Sequence, residues 1–94
     1  MKIPNKVKIG GIVYKILYKD TNRTDSRSLC GYTDVDNAEI IVDDKKDLQV
    51  QESTFFHEIL EAINFQNELK LEHHQIMVLE NNLFQVLKDN NLLR

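Results

Sequence analysis

Thr54-Phe-Phe-His-Glu-Ile-Leu-Glu-Ala-Ile63 is the stretch on which the reading of this chain turns. Its apolar residues, Phe55, Phe56, Ile59, Leu60, Ala62 and Ile63, recur at the spacing of one face of an α-helix. His57, Glu61 and Asn64 lie roughly opposite that stripe, where a polar face turned to solvent is the ordinary outcome. The helix is expected over about residues 47–67, with Asp47 as its N-cap, since a short acidic side chain satisfies the free N–H groups of a first turn.

Downstream, Leu71, Ile76, Leu79, Leu83, Val86 and Leu87 repeat the helical period, which predicts a second helix over about residues 71–90. It closes in Lys88-Asp-Asn-Asn91, where asparagines can end a helix. Upstream the period changes to that of strands, and residues 5–43 read as β-rich. Lys6-Val-Lys-Ile and Ile12-Val-Tyr-Lys-Ile-Leu-Tyr-Lys19 flank Gly10-Gly11. Paired glycines accept the positive φ of a two-residue hairpin turn. Leu29-Cys-Gly-Tyr-Thr33 and Ala38-Glu-Ile-Ile-Val42 predict a second hairpin through Asp34-Val-Asp-Asn37, where Asp and Asn bond their own backbone. The polar run from Asp20 to Ser28 reads as a surface loop between the hairpins. Strands followed by helices predict an α+β fold: an antiparallel sheet of about four strands with a packed helix pair on one face.

A length of 94 residues suits one modest core and a single domain. Hydrophobic residues at 41% and charged residues at 29% are ordinary for a globular chain. The formal charge of -3 and a pI near 5.5 argue against nucleic acid as a partner. Lys6, Lys8, Lys15 and Lys19 could line one side of the first hairpin, and a solvated strand face explains them. Cys30 is the single cysteine; it forms no internal disulfide, suits a reducing cytoplasm, and reads as a small buried strand residue. Met77 reads as core filler. There is no stretch of about 18 apolar residues and no signal-peptide pattern, so a cytoplasmic protein without membrane insertion is expected.

Residues at i and i+4 project from one helix face, so His57 and Glu61 can hold one metal ion between them. Glu58 sits beside them as a carboxylate able to take a proton from water. A third ligand has to come from elsewhere, and the other histidines are His73 and His74. If the His73 face packs toward the first helix, His57, Glu61 and His73 form a triad. The bland alternative is a solvated helix face, since one His and two Glu on a helix are commonplace.

Taken in order, Val-Lys-Ile-Gly-Gly-Ile-Val-Tyr-Lys-Ile, Leu-Cys-Gly-Tyr-Thr-Asp, Ile-Ile-Val-Asp, Thr-Phe-Phe-His-Glu-Ile-Leu-Glu-Ala-Ile and Leu-Phe-Gln-Val-Leu-Lys-Asp-Asn-Asn-Leu-Leu cover nearly the whole chain. In these segments it resembles small zincin-like metallopeptidases encoded by phages and prophages of low-GC Gram-positive bacteria. The resemblance implies a single zincin-like domain over residues 1–94, a His-Glu-x-x-His helix, and a glutamate on the following helix as third zinc ligand. His57 matches the first ligand and Glu58 the general base.

Two positions depart from that pattern. Glu61 stands in place of the second histidine, and the family's glutamate falls on or near Met77 by ungapped count from the Leu-Lys-Asp-Asn run; a thioether is a poor zinc ligand. The expectation drawn from these departures is a degenerate metallopeptidase serving as a protein-binding module in the cytoplasm of a bacterial host, with a host or phage protein or peptide as partner. The alternative is an active zinc peptidase with rewired ligands, His57 and Glu61 joined by His73, His74 or Glu80, and Glu58 as base. Its substrate would be a polypeptide lying antiparallel to an edge strand near Ala38 to Val42.

Overall fold

The computed structural model describes residues 2–21 and 30–93. In chain order these form strands β1 (Lys6–Ile9), β2 (Ile12–Lys19), β3 (Gly31–Asp34) and β4 (Glu39–Asp43), then helices α1 (Leu48–Gln66) and α2 (His73–Asp89). The α+β order is therefore as expected. The stretch from Asp20 to Ser28 and the strand residue Leu29 fall outside the described residues, apart from Asp20 and Thr21.

Each hairpin follows from its turn chemistry. Ile9 faces Ile12 across Gly10-Gly11, whose φ values of 57° and 87° give the turn that continues the strands' own twist. Between β3 and β4, Asp34 accepts from the Asn37 backbone N–H (3.2 Å) and from its side-chain amide (2.9 Å), which closes the turn locally.

The sheet order is β1-β2-β4-β3. Both hairpins are antiparallel, but β2 and β4 run parallel, with Ile16 beside Ile40 and Tyr18 beside Val42. The expected antiparallel sheet is thus a mixed one. Both central strands are the second strand of their hairpin, and both carry the buried apolar residues, Tyr14 and Ile16 on one and Ile40 and Val42 on the other. Side by side, these two strands put Tyr14, Ile16, Ile40 and Val42 at the centre of the core cluster, and they run in the same direction. Because β4 has a neighbour on each side, the edge proposed near Ala38 to Val42 does not exist. Among the described residues the edge on that side is β3.

Helix α1 lies on the sheet and adds Phe55 and Ala62 to the cluster of Ile9, Tyr14, Ile16, Ile40 and Val42. Burying a side chain the size of Phe55 stabilises the fold by about 1.5–3 kcal/mol. Asp47 caps α1 by accepting from the Gln49 N–H at 3.1 Å. Its far end is tied to the first hairpin, where the Gln66 amide donates to Ile9 O (3.0 Å) and Tyr14 Oη (3.1 Å). A Cβ at Gly31 would collide with the Ile41 carbonyl oxygen and the Thr54 side chain. Bare backbone there lets α1 settle close onto β3.

Helix α2 packs on α1 rather than on the sheet, so the fold has three layers and only α1 is covered on two sides. Two sequence expectations fail for this reason or a related one. Met77 is 43% exposed rather than core filler, because it lines an open groove beside α1. Cys30 is exposed rather than buried, because it precedes β3 instead of lying within it. Lys6, Lys8, Lys15 and Lys19 are all exposed, in keeping with a solvated strand face.

Candidate metal centre

The two sides of α1 receive different functional residues. Glu58 falls on the line of Thr54, Phe55 and Ala62 that faces the sheet and is buried with them. His57 and Glu61 are turned toward α2, so the face read as opposite the apolar stripe is covered by a helix and not left to solvent.

The connection between the helices brings His73 to them. The Asn64 side chain accepts from the Leu71 N–H at 2.9 Å and donates to the Leu71 carbonyl at 3.2 Å. This clamp fixes the chain two residues before His73. Glu68 and Lys70 take positive φ, 51° and 58°, to complete the bend. The Glu72 and Gln75 side chains then close a capping box at the start of α2.

His57 Nε2 lies 3.5 Å from Glu61 Oε2, and His73 Nδ1 lies 3.9 Å from the same oxygen. One donor atom from each of His57, Glu61 and His73 falls within 4.8 Å of the others. The two imidazoles meet edge to face, with centroids 5.3 Å apart. His57 is the most enclosed of the three and His73 the most open, with side-chain exposures of 13% and 68%. His57, Glu61 and His73, singled out in the sequence, are therefore brought to one place, and Glu58 lies on the neighbouring, sheet-facing side of α1, near enough for their charges to act on its carboxyl. His74 is exposed and stays outside the group.

Glu58 has a different environment from Glu61. Burial pushes its carboxyl above the ordinary glutamate value, while a hydrogen bond from Thr33 and the charge of His57 oppose the rise and the Glu61 charge adds to it. The Thr33 hydroxyl, on edge strand β3, lies 2.7 Å from Glu58 Oε1. A carboxylate made more basic by burial and held by one fixed donor is suited to accepting a proton from a reacting group.

Behind His57 stands Glu80, also buried. Its Oε1 is 3.2 Å from His57 Nδ1 and its Oε2 accepts from Ser53 Oγ at 2.9 Å. The sequence reading considered Glu80 only as a substitute ligand. Its position two turns beyond His73 on α2 was the available signal, whereas nothing local in the sequence pointed to Thr33 or Ser53.

These residues open onto a groove of about 580 Å³ between β3, the first half of α1 and α2. His57, Glu58, His73 and Glu80 line its polar part, and Val50, Met77 and Phe84 its apolar part. A donor set of two imidazoles and one carboxylate fits zinc, which takes nitrogen and oxygen ligands of this kind in catalytic sites. Comparison with protein-family models, with curated proteins and with solved structures gave no match. No helix among the described residues is long and apolar enough to cross a membrane.

Proposed function

We propose that the chain is a zincin-like, zinc-dependent peptidase with a permuted ligand set. The observation that carries this reading is the convergence of His57, Glu61 and His73 donor atoms within 4.8 Å. The resemblance leads one to expect two histidines from the first helix and a glutamate from the second. Here the first helix offers a histidine and a glutamate and the second a histidine, so the inventory of two imidazoles and one carboxylate is kept while two positions exchange type. His73 would do what the residue at Met77 cannot.

Zinc, when bound, supplies a Lewis acid that polarises a carbonyl and acidifies water. The chain supplies the rest. His57, Glu61 and His73 would hold the ion, and Glu58 would accept the proton of an attacking water. Thr33 keeps the Glu58 carboxylate oriented. Among the described residues β3 is an edge strand whose Thr33 touches Glu58, and along that edge an extended polypeptide can lie. The groove then receives its side chains against Val50, Met77 and Phe84.

The test is metal content followed by proteolysis. Protein purified without chelator should carry about one zinc per chain. Glu58→Gln should keep the zinc and lose cleavage of a peptide library, and His57→Ala should lose both. Native protein that takes up no zinc when zinc is supplied would remove this reading.

A second reading keeps the expectation of a protein-binding module. It draws on α2, whose outer residues Leu79, Leu83 and Val86 remain 46%, 43% and 44% exposed. It requires a protein partner whose capture survives both Glu58→Gln and chelator, and is lost on Leu83→Asp.

A further inference from the structure

We infer that Glu80 is the positioning residue of His57: it holds the imidazole in the tautomer with its proton on Nδ1 and so leaves the Nε2 lone pair aimed at Glu61 and His73. This rests on the metal reading of those three residues and adds a role to a residue that the ligand set does not use.

The contact geometry carries it. Both oxygens of Glu80 are engaged, Oε1 by His57 Nδ1 at 3.2 Å and Oε2 by the Ser53 hydroxyl at 2.9 Å. Ser53 and His57 are one turn apart on α1, so the carboxylate is held at two points by one rigid element and cannot swing away. Ser53 Oγ donates to one oxygen of Glu80, and with the other oxygen likewise as acceptor the hydrogen in the Nδ1 contact belongs to the imidazole. A neutral imidazole carries one N–H, and Nε2 is then bare. Nε2 is the atom that faces Glu61, at 3.5 Å.

The same geometry separates Glu80 from the ligands. It meets the opposite nitrogen of the ring, and the converging group consists of His57, Glu61 and His73 without it. A metal-binding histidine generally gives its second N–H to a carboxylate, which fixes the ring and raises its basicity. Glu80 is 8% exposed, and a carboxyl group so enclosed needs the hydrogen-bond partners that Ser53 and His57 provide.

Two measurements decide it. Imidazole nitrogen NMR of the native, metal-free protein in mildly alkaline buffer should show His57 protonated on Nδ1 and bare on Nε2, and Glu80→Leu should abolish that preference. Zinc competition against a chromophoric chelator should show binding weakened about 10–100-fold in Glu80→Leu. Glu80→Gln keeps an acceptor oxygen without the charge, so it should retain the tautomer and fall between native and Glu80→Leu in affinity. Native His57 protonated mainly on Nε2 would overturn the inference, as would a folded Glu80→Leu protein that binds zinc as tightly as the native one. If Glu80→Leu fails to fold, the native spectrum and Glu80→Gln still decide. Native protein that binds no zinc would instead defeat the proposed peptidase, and the nitrogen spectrum would judge Glu80 independently of it.

Discussion

Replacing Thr33 by valine removes one hydroxyl from β3 and leaves the outline of the side chain unchanged, so its effect reads the bond to Glu58. That hydroxyl lies 2.7 Å from Glu58 Oε1 and 3.2 Å from the Glu58 carbonyl oxygen, and with a single proton it serves the nearer one. A hydrogen bond to an ionised group contributes about 1.5–3 kcal/mol, and one to a neutral group about 0.5–1.5 kcal/mol. Thr33→Val should therefore destabilise the fold by about 1.5–3 kcal/mol where Glu58 is ionised and by about 1 kcal/mol less where it is protonated.

The pH dependence has a definite sign. Burial raises Glu58 above its ordinary 4.5, so the native state binds its proton more tightly than the unfolded chain does. Its contribution is fully present below that ordinary value and is lost as pH rises through the higher folded value. Without the Thr33 bond the folded value climbs further, so native and variant differ least in acid and most above the variant's titration. Urea unfolding of both proteins across this range in metal-free buffer, with carboxyl-carbon NMR of Glu58, measures both effects. A stability difference that is the same at both ends of the range, or a Glu58 that titrates lower in the variant, would refute the reasoning.

Asn64→Ala removes both bonds that clamp Leu71. It should lower stability by about 1–3 kcal/mol and weaken zinc binding more than Asn67→Ala does, because Asn67 bonds only within its own helix; equal affinities in a zinc titration would contradict this. Asp43 is held below the ordinary carboxylate value of 3.8 by the Lys45 N–H and the Thr21 hydroxyl, with burial opposing them. Its stabilisation is present above that value and fades as pH falls through the lower folded one. Asp43→Asn should consequently show a flatter acid limb in urea midpoints, and an unchanged limb would count against it.

What could be read from the sequence was local. Gly10-Gly11, the Asp34 to Asn37 turn and the Asp47 cap each state their geometry through the residues that adopt it, and each was found where expected. The parallel pairing of β2 with β4 depends on how two finished hairpins meet, and no short segment encodes that. The helical wheel of α1 put His57 and Glu61 on one face, but it did not foresee that Glu58 joins the buried line of Thr54, Phe55 and Ala62 or that both faces are covered. A helix packed between a sheet and a second helix buries Glu58 on one side and shields His57 on the other. His73 is a candidate in the sequence only on the condition that its face packs toward α1, and that condition is met by a bend that uses Glu68 and Lys70 at positive φ, without the glycine that usually announces one. Exposure of Met77 follows from α2 resting on α1 alone, a fact of tertiary packing.

That attachment separates two events which a more conventional helix pair would join. Since α2 touches α1 and no strand, the helices can part while β2, β4 and the inner face of α1 keep their packing intact. Amide protons of α2 should then exchange with solvent through partial openings that leave the sheet protected. The width of the groove thereby becomes a property of one helix–helix seam instead of the stability of the whole protein.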